Sequence, residues 1–157
     1  MKEKISSTGF RLGLLTLLLA AGCATYASAQ SQTVRSSESL YKRLGGYDAI
    51  AAVVDEFLAG ATSDKQLSRF LVGLSSDSKK RLRQLIVDQL CEATGGPCFY
   101  TGRSTKAAHA GLGITESDWQ LTVKYLAAIM DKLGVRPKER DEFLALASTL
   151  KPDIVEK

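Results

Sequence analysis

The chain of 157 residues carries one histidine, His109, and three cysteines, Cys23, Cys91 and Cys98. A bare zinc ion needs three or four His, Cys or carboxylate ligands at characteristic spacings, and the chain has neither a CxxC pair nor an HExxH run. His109 lies in Ala107-Ala108-His109-Ala110-Gly111-Leu112-Gly113-Ile114, among small residues that leave room beside the imidazole. A lone neutral imidazole so placed, facing an apolar helical stripe, has what single-histidine haem ligation requires: one strong axial nitrogen and hydrophobic walls for the macrocycle. On these residues alone the commoner reading is a histidine on the surface or hydrogen-bonded within a helical core.

Charge excludes other functions. The net charge is +4, of which Lys2, Lys4 and Arg11 against Glu3 supply +2 within the first 29 residues. The remaining +2 is too diffuse for the concentrated basic face that nucleic acid requires. The local run Lys79, Lys80, Arg81, Arg83 reads as a solvated helix start.

The first 11 residues are polar and basic, and Leu12 to Ala21 form an apolar run about half as long as a bilayer span. This is the h-region of a signal peptide. The following Ala20-Ala21-Gly22-Cys23 resembles the lipobox of bacterial lipoproteins, in which cleavage before the cysteine precedes its lipidation, although Ala20 replaces the usual leucine. A competing A-x-A cut at Ala27-Ser28-Ala29 would release a soluble periplasmic or secreted protein. The expected organisation is a signal peptide over 1–22, or to 29 with the alternative cut, a flexible tether over 23–36 and one folded domain over 37–157. The lipid on Cys23 would be the only membrane attachment. Export places Cys91 and Cys98 where a disulfide is permitted; the alternative is two free thiols. Closing so short a loop stabilises by about 2 to 3 kcal/mol on the chain-entropy model.

From Ser37 onward the pattern is all-α. A short helix over 37–44 stops at Gly45-Gly46, and a second over 47–62 places Ile50, Val53, Val54, Phe57, Leu58 and Ala61 on one face. The segment from Gln66 to Gly73 is a short helix or turn delivering Phe70 and Leu71 inward. The next helix begins with Ser76 as its cap, carries a stripe of Leu82, Leu85, Ile86, Gln89 and Leu90, and ends at Thr94-Gly95-Gly96-Pro97. An irregular stretch follows, with a turn of helix at 106–110. A capping box at Thr115-x-x-Asp118 opens a long helix to Leu133 that faces Trp119, Val123, Leu126 and Met130 inward. Pro137 opens the last helix, with Phe143, Leu144, Ala147 and Leu150 inward and Pro152 as its stop.

Several motifs occur in an order and spacing that resemble the group I truncated haemoglobins from Ser37 to about Val155. They are Ser39-Leu40-Tyr41-Lys42-Arg43-Leu44-Gly45-Gly46, Val53-Val54-Asp55-Glu56-Phe57, Asp64-x-x-Leu67-x-x-Phe70, Thr94-Gly95-Gly96-Pro97, Tyr100-Thr101-Gly102-Arg103, Ala108 to Ile114, and Leu150-Lys151-Pro152-Asp153-Ile154-Val155. The resemblance implies a two-over-two helical sandwich around haem b, with His109 as proximal iron ligand. It further implies Phe57 as a pocket aromatic, Tyr100 near the propionates, Ile114 against the porphyrin and Trp119 as a further aromatic wall. Leu82, Leu85 and Ile86 face the same pocket.

Where much of that family has a tyrosine donor after Phe57, this chain has Leu58, and Phe70-Leu71 replaces a pair of phenylalanines. Gln89 is then the only inward polar candidate on its helix, with Gln84 pointing elsewhere, and the distal pocket is expected to be dry and apolar. The function implied is reversible binding of diatomic gases (oxygen, nitric oxide, carbon monoxide) in carriage or sensing. Alternatives are a haem enzyme, such as a nitric oxide dioxygenase or peroxidase, or periplasmic electron transfer. A dioxygenase would need an unidentified reductase, and no flavin or nicotinamide motif accompanies the domain.

Overall fold

The computed structural model describes residues 38–156. The expected signal peptide, the lipidation of Cys23 and the tether lie outside those residues. Among the described residues all regular structure is helical: α1 (Leu40–Leu44), α2 (Tyr47–Ser63), a 3₁₀ turn (Ser68–Phe70), α3 (Ser76–Ala93), α4 (Thr105–His109), α5 (Glu116–Lys132), α6 (Pro137–Ser148) and α7 (Lys151–Ile154). None of these helices is long and apolar enough to cross a membrane.

The helices α2 and α3 pair in one layer and α5 and α6 in another, joined where α2 packs on α5. The sequence of α2 explains its central place. Ile50, Ala51 and Val54 meet Val87 and Cys91 of α3, while Val53, on the neighbouring side, meets Met130 of α5 and Phe143 of α6. A helix apolar over so wide an arc must be covered from two directions.

The turn chemistry agrees with the sequence reading at most positions and departs from it at four. The first helix starts at Leu40, because Ser39 accepts from the Lys42 N–H and so sets its beginning. Ser75, one residue before the expected cap, accepts from the Ser78 N–H at 3.1 Å and opens α3. On α3 Leu82, Leu85, Ile86 and Gln89 face a cavity, as the resemblance implied for the three aliphatic ones, but Leu90 packs against the core instead, and the most deeply buried residues are Val87 and Cys91, which lie off the expected stripe. At about 100° per residue the four cavity residues and the Val87–Cys91 pair fall on roughly opposite sides of the helix, with Leu90 between them. Pro152 stops nothing: α6 ends at Ser148, and Pro152 sits in the first turn of α7, where a missing N–H leaves no bond unmade.

After α3 the chain turns sharply at Gly95 (φ +83°) and Gly96. A Cβ on Gly96 would lie 2.5 Å from the Tyr41 ring and 2.7 Å from Cys91 Sγ, so only glycine fits. Cys91 and Cys98 are joined by a disulfide, with Cα atoms 5.8 Å apart. In the second layer Arg43 of α1 binds Glu139 and Glu142 of α6, and Arg136 adds a second cation to Glu139 at 2.8 Å.

The capping box forms as expected, with the Thr115 side chain accepting from the Asp118 N–H. Asp118 has a larger role than a cap. Only 2% exposed, its carboxylate accepts from the Thr115 N–H at 2.8 Å, the Thr115 hydroxyl at 2.7 Å, Gln66 at 2.8 Å and Arg69 at 2.5 Å. The Arg69 guanidinium also lies 4.4 Å above the Phe70 ring. One carboxylate therefore fastens the 64–71 segment, with Phe70 and Leu71, to the start of α5.

Burial acts to raise the Asp118 pKa, but the Thr115 N–H, Gln66, the Thr115 hydroxyl and the Arg69 charge outweigh it and pull the value down to about 2. A carboxylate whose pKa is depressed on folding stabilises above its unfolded value, near 4, and loses that contribution as pH falls toward 2. Asp118→Asn is expected to lower stability by roughly 2 kcal/mol at pH 7 and by progressively less between pH 4 and pH 2. Urea unfolding of both proteins across that range checks it, and parallel curves at a constant offset would disprove the assignment. A second expectation concerns the disulfide: replacing both Cys91 and Cys98 by Ser should cost about 2 to 3 kcal/mol in the same assay.

Candidate functional site

Between the layers, and walled by the irregular segments, lies a cavity of about 390 Å³. That volume falls within the usual range for small-molecule and cofactor sites. A second cavity of about 170 Å³, between α2, α5 and α6, is lined by residues such as Ile50, Val53, Met130 and Phe143 that carry no reactive group.

Every residue expected to hold a cofactor borders the larger cavity. Phe57 and Leu58 come from α2, Phe70 and Leu71 from the 3₁₀ turn and its end, and Leu82, Leu85 and Ile86 from α3. Tyr100 comes from the loop after the disulfide, His109 from the end of α4, Ile114 from the loop after it, and Trp119 from α5. The helical stripes of α2 and α3 thus supply aliphatic walls, while short segments supply aromatic and polar edges.

His109 is half-buried and closes α4. Its Nδ1 is 2.7 Å from the Thr105 carbonyl one turn earlier. A carbonyl only accepts, so Nδ1 carries the proton; in neutral imidazole Nε2 then keeps its lone pair. That is the tautomer of a metal ligand whose other nitrogen is oriented by a backbone partner. Ser104 caps the short helix by accepting from the Ala107 N–H at 3.3 Å, and the Ala110 N–H returns to the Lys106 carbonyl at 2.9 Å.

Gln89 reaches the cavity from α3, but its amide donates to the Thr105 hydroxyl at 3.1 Å. It therefore steadies the residue that orients His109. Gln84 points away as expected, donating to the Tyr47 hydroxyl at 2.7 Å and to Asp88 at 2.9 Å. Tyr100 donates to the Arg103 carbonyl at 2.7 Å, which closes its loop so tightly that a Cβ on Gly102 would lie 2.3 Å from the Tyr100 hydroxyl. The loop carries Arg103, an exposed cation that borders the cavity.

Sequence reasoning did not single out Arg103, Thr105, Asp118, Leu150 or Ile154 as lining residues, although all five border the cavity. Arg103 had a local signal, lying inside a quoted motif beside Tyr100. Thr105 had one in hindsight, since it sits four residues before His109, one helical turn away. Ile154 comes from α7, which the sequence reading did not separate from α6, and Leu150 is the residue that precedes α7.

These residues fit a planar macrocycle better than a bare ion. Among the described residues no three His, Cys, Asp or Glu side chains converge to hold a metal. One imidazole nitrogen, broad apolar walls and a cation at the edge suit a metal delivered within an organic ligand that bears carboxylates.

The chain matches the family described as bacterial-like globin over residues 39–156. It is 35% identical over 116 residues to a group 1 truncated hemoglobin of Mycolicibacterium paratuberculosis, covering 74% of this chain and 83% of that protein. A group 1 truncated hemoglobin of Chlamydomonas moewusii is 28% identical over 134 residues, covering 84% of this chain and 77% of that one. The crystal structure of Tetrahymena pyriformis truncated hemoglobin in its Fe(III) form superposes with a TM-score of 0.69 at 25% identity, over 76% of this chain and 100% of that one. The 2/2 hemoglobin of a Synechococcus species, solved in the cyanomet state with covalently attached heme, gives the same TM-score, identity and coverage. The arrangement of α2 and α3 over α5 and α6, with one histidine at the cavity, is the two-over-two sandwich, and the chain belongs to the bacterial-like globin family as a group 1 truncated haemoglobin.

Proposed function

We propose that this chain is an exported haem b protein that binds diatomic gases reversibly, with His109 as the iron ligand. The observation that carries the reading is the 2.7 Å contact between His109 Nδ1 and the Thr105 carbonyl, which leaves Nε2 as the unprotonated nitrogen at a cavity walled by leucines. The heme of the Synechococcus relative and the Fe(III) form of the Tetrahymena one support the same cofactor. Haem, when bound, would supply the iron that binds the gas, and His109 would hold that iron.

The chain's own residues do the rest. Leu58, Leu82, Leu85 and Ile86 exclude water from the gas side, and Phe57, Trp119 and Ile114 wall the macrocycle. Arg103 is the cation placed to meet a propionate, while the Tyr100 hydroxyl holds the Arg103 loop through its backbone. No tyrosine follows Phe57, and the amide of Gln89 is committed to Thr105. A hydrogen bond to a charged acceptor contributes about 1.5 to 3 kcal/mol, so its absence speeds oxygen release by one to two orders of magnitude. Nitric oxide and carbon monoxide, which depend less on such a donor, are then held better than oxygen. A peroxidase needs an acid–base group on the gas side, and the single histidine is on the iron.

Expression with haem, followed by spectra of the ferric, ferrous and carbon-monoxide forms, tests the assignment. The wild-type spectrum should shift with carbon monoxide, and His109→Ala should abolish the five-coordinate ferrous form; an unchanged variant would refute ligation by His109. Leu58→Tyr should slow oxygen dissociation about 10- to 100-fold in stopped-flow. Export and anchoring through Cys23 predict a mature mass that begins at Cys23 with added lipid, whereas a mass beginning at Gln30 without lipid would show the alternative cut.

A further inference from the structure

The segment after α7 closes over the histidine segment. Ile154 of α7 borders the cavity, and two residues later the Glu156 N–H donates to the Ile114 carbonyl at 2.8 Å. The Glu156 carboxylate then accepts from two backbone N–H groups, those of Gly111 at 2.5 Å and Gly113 at 3.0 Å. One side chain from the chain terminus thus grips both glycines of the loop that joins His109 to Ile114.

The grip depends on the glycines. Gly111 and Gly113 have φ of +82° and +64°, in the region that favours residues without a side chain. A Cβ on Gly111 would meet nothing within 4 Å, so its requirement there is conformational. Two N–H groups one residue apart converge on one carboxylate, the arrangement of a backbone anion nest. Without that acceptor, the loop keeps its own turn, from the Leu112 N–H to the His109 carbonyl at 3.1 Å, and the backbone bond from the Glu156 N–H to the Ile114 carbonyl, but Gly111 and Gly113 lose their shared partner.

His109 is therefore held from both sides by different means: on its N-terminal side by the Thr105 carbonyl through Nδ1, and on its C-terminal side by a loop fixed from Glu156. We infer that Glu156 is a positioning residue for His109, its carboxylate setting the loop that fixes how the imidazole meets the cavity. This rests on the haem reading above and names a residue of that same site. Glu156 does not itself border the cavity, and its bonds to the segment all go to backbone groups of Gly111, Gly113 and Ile114, so its effect passes through the loop backbone.

The test compares the full-length chain with Glu156→Ala, Glu156→Gln and Glu156→Asp. In the haem-free protein, amide hydrogen exchange at Gly111 and Gly113 should accelerate about tenfold or more in Glu156→Ala, while amides of Val54 and Val87 in the core keep their rates. In the haem-loaded protein, transfer of haem to an excess of scavenging apoprotein should quicken about tenfold, and the ferrous iron–histidine stretching band should shift in resonance Raman. Glu156→Asp should restore part of each effect, with Glu156→Gln intermediate because it keeps one neutral acceptor. Unchanged haem transfer and an unshifted band in Glu156→Ala would overturn the inference, as would changes that only follow a fall in global stability. Failure of the wild-type chain to take up haem overturns the parent reading and this one together, and is seen before any variant is compared.

Discussion

The contact on which the site depends is the hydrogen bond from His109 Nδ1 to the Thr105 carbonyl. It fixes one tautomer of the only histidine in the chain, and it does so within a single turn, so that α4 needs to be only five residues long. A helix that short is not stable by itself. The sequence solves this by fastening both of its ends: Ser104 caps it, Gln89 holds the Thr105 hydroxyl from α3, and the loop after His109 is gripped by Glu156. What looks in sequence like a small-residue linker is a local device that caps itself and imports the rest of its rigidity from two distant elements, α3 and the segment after α7.

The same economy explains α2 and α3. Both helices must contribute to the core and to the cavity at once, and they divide their surfaces accordingly. On α3, Val87 and Cys91 are buried without residual exposure, whereas Leu82, Leu85, Ile86 and Gln89 look into the cavity. On α2, Ile50, Val53 and Val54 fill the core along the first turns, and Phe57 and Leu58 reach the cavity one turn further on. The pocket wall is the core stripe of α2 extended past the point where another helix covers it.

This division sets what could be read from the sequence. Helical periodicity identified the helices and the cavity stripe, and the small residues around His109 marked the histidine segment, because those signals are local. Periodicity marked the α3 stripe, and the resemblance turned it toward a pocket, but neither said that Val87 and Cys91 faced α2, since both surfaces are apolar and the distinction lies in what stands opposite. Asp118 was legible as a cap, a relation over three residues; its bonds to Gln66 and Arg69 span 52 and 49 residues and leave no local trace. Gln89 was legible as inward and polar, but its partner depends on where α4 docks. Pro152 was read as a stop because a proline within a helical pattern usually is one, yet at the first turn of a new helix its missing N–H is harmless.

The cavity has two kinds of wall, and their stabilities differ for a physical reason. The walls from α2, α3 and α5 are held by helical hydrogen bonds and by the buried core. Those from 64–71, 98–105, 110–114 and 150–156 have few such bonds, and each is fastened by one or two specific links. Asp64 accepts from the backbone of Gln66 and Leu67 and from the Tyr125 hydroxyl, and these bonds hold its carboxyl below the usual range. Asp118 secures the same segment from α5, the disulfide anchors the second, and Glu156 ties the third to the fourth. Local opening follows the weakest set of contacts rather than the global stability, so these segments are expected to open before the helical layers do. If haem is held here as proposed, its entry and loss would run through these fastened edges, and the links that hold them would govern its residence along with the leucines that line the floor.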